Sequence, residues 1–229
     1  VMPLNTAIAL RCATRPIDSS SGCCAVICST GTCFDVSSPT RFELEGLRLS
    51  GGVLAGPAVA ITGTSLTQSV HMAHMHFSAH RSRAVILRSV PFATIASSTF
   101  TDCTAYVGNS GGALLIETSS TLTATSCTFS NNSVAGAAAS GGAIAVRSSS
   151  TLIASAVTCE HNQAAFGGCL DAAGAKLISI VSSEFRDNIA SKDGGGIRTV
   201  YSPLNVTTST INGNRANREG GGAHLLGDA

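Results

Sequence analysis

Between Thr121 and Val146 the chain reads TLTATSCTFSNNSVAGAAASGGAIAV, and between Thr151 and Ala172 it reads TLIASAVTCEHNQAAFGGCLDA. Both open on Thr-Leu. Phe129 in the first and Cys159 in the second are each followed three residues later by an Asn, Asn132 or Asn162. A glycine pair then precedes a small residue and an aliphatic one, as Gly141-Gly142-Ala143-Ile144 and Gly167-Gly168-Cys169-Leu170. Self-similarity at a period of this size signals a stacked repeat architecture.

The pattern extends in both directions. Downstream, Phe185 with Asn188 leads to Gly195-Gly196-Ile197, and Ile211 with Asn214 leads to Gly221-Gly222-Ala223. Upstream, Phe100 leads to Gly111-Gly112-Ala113-Leu114, with Cys103 where Asn would stand. Phe77 with His80 precedes Arg83-Ala84-Val85, and Leu49 with Gly52 precedes Gly56-Pro57-Ala58-Val59. The repeat is about 26–30 residues long, and seven cycles run from about Arg41 to the C-terminus. A third apolar position falls between the two signatures, at Leu66, Phe92, Leu122, Leu152, Leu177 and Leu204. Each cycle thus carries three strand-like stretches separated by turns.

Within a stretch the alternation has the period of 2 that a half-buried strand requires. Cys127 and Phe129 are expected to face inward, Thr128 and Ser130 outward; Phe185 points in, Glu184 and Arg186 out. Columns of equivalent residues predict an inward ladder of Phe100, Phe129, Cys159, Phe185 and Ile211 beside an outward one of Thr99, Thr128, Thr158, Glu184 and Thr210. One coil cannot bury its apolar residue alone, whereas coils stacked about 4.8 Å apart bury a continuous narrow core. Asn132, Asn162, Asn188 and Asn214 suit an internal asparagine ladder, because Asn tolerates turns and bonds to neighbouring backbone. Gly112, Gly142, Gly168, Gly196 and Gly222 are the expected turn glycines, supplying positive φ or close backbone approach. The reading is all-β, a right-handed parallel β-helix of about seven coils, on the order of 34 Å long. A leucine-rich solenoid fails, since no stretch shows apolar spacing of 3 and 4 over a helical length.

The phased Phe-x-x-Asn and Gly-Gly-Ala-Ile signatures resemble the polymorphic outer membrane protein repeat of chlamydial autotransporter passengers and of related algal or protist surface proteins. The resemblance covers about Arg41–Ala229. It implies a β-helical surface or secreted protein with adhesive or structural work, and it brings no catalytic residue set. It also implies that residues 1–40 are a Cys-rich N-terminal cap or first coil, with residues 41–229 forming β-helix repeats that continue beyond the segment. Both ends of the sequence look cut, as for a piece of a longer chain.

Composition limits the function classes. Charged residues are 12%, aromatic residues 4%, and the formal net charge is +1. No electrostatic footprint for nucleic acid exists. No apolar run approaches the roughly 20 residues of a membrane span, so no membrane contact by this segment is expected. Five of the nine cysteines, Cys12, Cys23, Cys24, Cys28 and Cys33, crowd the N-terminus. They read as disulfide candidates in an oxidising compartment rather than zinc ligands, because no clean pair of C-x-x-C knuckles appears.

The one conspicuous histidine cluster is His71, His74, His76 and His80. Alternation puts His74 and His76 outward on one face, a weak metal candidate lacking a third ligand; solvated imidazoles are the simpler expectation. No cofactor is expected. A polysaccharide-degrading, pectate-lyase-like enzyme would need two or three carboxylates close together, or carboxylates binding calcium beside a base. Glu160, Glu184, Asp187 and Asp193 come nearest, and Arg186 interrupts them. Asn131 and Asn205 head glycosylation sequons expected at or near turns. Asn109–Gly112 and Asp193–Gly196 lack the Lys-Ser/Thr of a phosphate loop and read as turns.

The leading expectation is a non-enzymatic structural or adhesive segment of a large extracellular or cell-surface protein. Its partners are other protein chains or glycans, and the loops 133–140 and 104–110 are the expected contact surfaces. The polysaccharide enzyme and a segment of an extracellular filament are the alternatives.

Overall fold

The structure, a computed structural model, describes residues 7–11, 25–28, 32–51, 56–64, 67, 69–106 and 110–227. It is a parallel β-helix without helical elements among the described residues. One eight-stranded sheet consists of Ala7–Arg11, Arg41–Glu45, Ser69–Ala73, Ala93–Ala96, Thr121–Thr125, Thr151–Ser155, Leu177–Val181 and Leu204–Thr207. These strands, the first sheet, open coils 1 to 8. The second sheet runs from Ala25–Cys28 to Thr210–Asn212 and the third from Phe34–Ser37 to Ala223–Leu226, each also with eight strands. Between second and third sheets lies a short five-stranded sheet, from Thr104–Ala105 to Arg215–Ala216, which the repeat pattern does not announce. The strands before residue 41 pair in parallel with those of coil 2, Ala7 with Arg41, Ala25 with Arg48 and Phe34 with Val59.

Two of the corners turn at single left-handed residues, whereas the corner before the first sheet includes pairs of them, Thr118 with Ser119 and Ser148 with Ser149. The first-to-second corner has positive φ at Gly46, His74, Ser97, Ser126, Ala156, Ser182 and Thr208. The corner after the second sheet has it at Ala79, Asp102, Asn131, His161, Asp187 and Gly213. Asn, Asp and Gly adopt this region readily, whereas Ser, Ala and Thr do so at a cost of about 1–2 kcal/mol each. Stacking offsets that cost: Ser126 N–H donates to Ser155 O at 3.0 Å, and Asn131 N–H to Glu160 O at 3.2 Å.

The next residue at these corners points inward, and where it is Asn or Ser it serves the coil before it. Asn132, Asn162, Asn188 and Asn214 form the expected ladder. In it Asn162 Oδ1 accepts from Asn132 N–H at 2.9 Å, while Asn162 Nδ2 donates to Phe129 O at 3.0 Å. His80 Nε2 reaches Leu49 O at 3.0 Å in the same role. Two serine ladders, unforeseen from the motif, do this work at the other corners. Ser98 Oγ accepts from Met75 N–H and Ser183 Oγ from Val157 N–H. Ser120 Oγ accepts from Val90 N–H, and Ser150 Oγ from Ser120 N–H. Buried N–H groups need partners, and corner N–H groups turned inward find none in a sheet.

The inward ladder stands as expected. Phe77, Phe100 and Phe129 are stacked with centroids 4.7 and 4.6 Å apart. Across the core runs a column of small residues, Ala58, Ala84, Ala113, Ala143, Cys169, Gly196 and Gly222. Space for the aromatic rings is made there.

The structure corrects several expectations. Gly196 and Gly222 belong to this small column, not to the column of Gly112, Gly142 and Gly168. Coil 7 gains a residue through a register shift between the Ala164 and Phe166 pairings, so its motif slips by one. The glycine pair divides the two expected roles: the first, as at Gly141, has positive φ, and the second meets close backbone approach, since a Cβ on Gly142 would lie 2.1 Å from Gly168 O. The third apolar column is Phe42, Val70, Ala93, Leu122, Leu152, Ile178 and Leu204; Phe92 and Leu177 point outward, and Leu66 lies outside the described residues. Finally, the coil length reaches down to 23 residues between Met75 and Ser98.

Candidate functional site

The outer faces of the sheets differ in chemistry. On the second sheet Arg186 pairs with Glu160, with Glu184 at 3.5 Å and with Asp187 at 3.8 Å. Three of the four acids expected as the nearest patch, Glu160, Glu184 and Asp187, are therefore drawn around one guanidinium. Asp193 is not among them; it is buried against Arg218 at 2.6 Å. On the third sheet Asp171, 1% exposed, is held by Arg147 at 2.5 Å and Arg198 at 3.0 Å. The Arg198 guanidinium lies 4.3 Å from the Phe166 ring centroid and the Lys192 ammonium 4.8 Å. Glu117 pairs with Arg88, and Glu219 with His224. In coils 1 and 2, Arg11 and Arg41 bracket Glu43; the hydrogen bond from Arg41 foremost holds its carboxyl below the ordinary range, against the opposing effect of burial.

The first sheet is different from coil 4 downward. Its central outward column reads Thr94, Thr123, Ile153, Ser179, Asn205. Beside it run Phe92, Thr121, Thr151 and Leu177 on one flank, and Ala96, Thr125, Ser155, Val181 and Thr207 on the other. No side chain among these carries a charge. Phe92 is 66% exposed, and Ile153 and Leu177 also reach solvent. Parallel sheets usually have both faces covered, so an uncharged, partly aliphatic outer face marks the candidate site.

The histidines do not assemble. His74 occupies a corner with positive φ, while His76 starts the second-sheet strand His76–Ser78, so the two leave different faces and the expected shared face is absent. His71 Nδ1 lies 2.6 Å from Thr94 Oγ1, and His76 Nδ1 2.5 Å from Thr99 Oγ1. Burial lowers the His76 pKa, with Arg48 adding to the effect; burial also lowers that of His80, against the opposing bond to Leu49 O. Among the described residues no group of three or more His, Cys, Asp or Glu could hold a metal ion.

A cystine joins Cys159 to Cys169 across the core, with Cα atoms 6.3 Å apart. This bridge lies outside the five N-terminal cysteines expected to pair, and ties the apolar ladder at Cys159 to the small column at Cys169. Cys33 is disulfide-bonded; Cys12, Cys23 and Cys24 lie outside the described residues, as does the side chain of Cys28. Cys103 and Cys127 are buried thiols, and burial pushes Cys103 up to about 12. Asn131 is exposed at its corner, but Asn205 stands mid-strand in Leu204–Thr207 on the first-sheet face, not at a turn. The loops expected as contact surfaces are partly strand: Ser133–Val134 and Thr104–Ala105 belong to the short sheet, and Lys192 Nζ donates to Ala137 O at 2.7 Å.

A family model described as right-handed beta helix region matches residues 55–229. No curated protein and no solved structure matches the chain. The chain belongs to the right-handed β-helix family.

Proposed function

We propose that this β-helix is a structural or adhesive segment of a large extracellular or cell-surface protein, working through contacts with other protein chains or glycans, as the polymorphic outer membrane protein resemblance implies. The observation that carries the proposal is the Cys159–Cys169 cystine, set where the neighbouring coils use Phe129 and Phe185 on one wall and Ala143 and Gly196 on the other. Cystines persist in oxidising compartments and are rare where glutathione and thioredoxin keep thiols reduced. Cys103 and Cys127, the free thiols among the described residues, are buried, and protonated thiols are poor nucleophiles.

The arrangement of acids also supports non-catalytic work. Bond cleavage in polysaccharides calls for carboxylates free to take or give a proton, or to bind calcium. Glu43, Glu117, Glu160, Asp171, Glu184, Asp187 and Asp193 are each engaged by an arginine. The test is a non-permeant amine- or carboxyl-labelling of intact cells of the native source, followed by the mass of the labelled protein before and after reduction. Surface labelling of a polypeptide well above 23.0 kDa is expected. Labelling only after permeabilisation would end the surface reading.

A further inference from the structure

We propose that the Cys159–Cys169 bond closes before coil 7 docks on coil 6, so that a disulfide donor acts on this chain while coil 6 is still an open end. Once coil 7 is in place the bond is sealed, and the cystine is a one-way latch on the order of stacking. The proposal goes beyond the surface reading and needs only a disulfide donor where the chain folds.

The first argument is access. Cys159 and Cys169 are both 0% exposed and belong to the main core. Cys159 lies in register between Phe129 of coil 5 and Phe185 of coil 7. Cys169 is held between the same two coils, accepting from Ala143 N–H at 3.0 Å and donating to Gly196 O at 3.0 Å. Asn162 Nδ2 closes the corner side, 3.2 Å from Cys159 Sγ. Bond formation needs a third sulfur in this space. One cysteine thiolate attacks the donor's disulfide and displaces half of it, giving a mixed disulfide. The second thiolate then attacks the cysteine sulfur, and the donor leaves reduced by two electrons, with both thiol protons passed to solvent. The assembled stack has no room for a donor bonded to Cys159 or Cys169. Cys103 shows what the same core does to a thiol, since burial pushes it up to about 12, far from the reactive thiolate.

The second argument is sufficiency. Coil 5 alone supplies the template that brings the two sulfurs together. Thr158–Glu160 pairs with Thr128–Ser130, Leu170–Ala173 pairs with Ile144–Arg147, and Asn162 bonds to Asn132 N–H and Phe129 O. Coil 7 adds only the cover. Synthesis also delivers coil 5 ahead of coil 7. Pairing errors are suppressed by distance along the chain. The nearest other cysteine, Cys127, stands 32 residues before Cys159, against a separation of 10 for the native pair. Loop closure favours the native pair roughly sixfold.

The experiment refolds the full chain from the reduced, denatured state in oxidised glutathione. At intervals the amides are pulse-labelled with deuterium, the chain is denatured in alkylating agent, and intact molecules are sorted by alkyl mass. Docking of coil 7 is read from the amides of Glu184 and Ile189, which donate to Val157 O and Asn162 O of coil 6. Chains are expected to gain the bond only while those amides are unprotected. Any chain that protects them over free thiols should oxidise no faster than it globally unfolds. In the native protein, a tenfold rise in dithiothreitol should leave the rate of reduction at Cys159 and Cys169 unchanged. Two results would overturn the proposal: bond formation in chains with coil 7 already protected, faster than global unfolding, or native reduction at a rate proportional to dithiothreitol. Neither result touches the surface labelling of native cells, so the broader reading stands or falls separately.

Discussion

Coils 5 and 6 share one backbone path and differ in what fills it. Phe129 pairs in register with Cys159, and Ile144 with Leu170, so the two coils superpose strand on strand. In coil 5 the space is filled by a ring, stacked on Phe100, opposite the small Ala143. In coil 6 the large residue shrinks to Cys159 and the small one grows to Cys169, and a covalent bond closes between them. The comparison teaches that the rung, not the residue, is what the fold holds constant. Volume lost on one wall is returned on the other, and the asparagine ladder passes through both coils unbroken from Asn132 to Asn162 and Asn188.

The largest break in this equivalence should come from emptying the ring side of coil 5. Phe129→Ala should lower the unfolding free energy by about 3–5 kcal/mol, measured by chemical denaturation, because a rigid stack cannot collapse into the cavity. Opening the coil 6 rung is expected to cost less. Reduction of a bridge spanning a sequence separation of 10 should remove about 2–3 kcal/mol. The paired substitution Cys159→Phe with Cys169→Ala, which rewrites coil 6 as coil 5, should bring a reduced sample to within about 1.5 kcal/mol of the oxidised native protein. A large loss in that variant would show that the two rungs are not interchangeable.

Asn162→Ala cuts the ladder where the two coils meet. It should cost about 1–3 kcal/mol by stranding the Asn132 N–H in the core, with Asn162→Gln giving little rescue. The smallest effect concerns His80, which stands in the ladder as a titratable substitute. Its folded pKa lies below the 6.5 of the free side chain, chiefly through burial. The folded state therefore binds fewer protons, and stability falls as pH drops from about 6.5 toward that lowered value. His80→Asn should flatten this part of the melting-temperature profile between pH 7 and 5 and leave pH 8 nearly unchanged. The residual slope belongs to His76, shifted the same way. An undiminished slope in His80→Asn would remove the proton linkage from this site.

The parts of this architecture legible in the sequence are those in which a side chain has one job in every coil. Phe100, Phe129 and Phe185 must fill a core, and Asn132, Asn162, Asn188 and Asn214 must satisfy corner backbone groups, so both ladders repeat visibly. The serine ladders were hidden by abundance, since Ser98, Ser120, Ser150 and Ser183 look like the many serines on the surface. Left-handed corners were hidden for the opposite reason: Ser, Ala, Thr and Gly all fill them once stacking over-determines the backbone. The third apolar column slipped at Phe92-Ala93 and Leu177-Ile178. Two apolar neighbours there leave the inward residue ambiguous, and a one-residue slip exchanges the faces. The slip changes the candidate face, because Phe92 and Leu177 there join Ile153 as exposed apolar side chains among the hydroxyls.

The most direct test of the account is a peptide map of the native protein, alkylated under denaturing but non-reducing conditions. The account predicts a cystine peptide joining Cys159 to Cys169, with Cys103 and Cys127 recovered as alkylated thiols. Recovery of Cys159 and Cys169 as free thiols would contradict both the cross-linked rung and the oxidising compartment. Pairing of either with Cys103 or Cys127 would contradict the coil register itself.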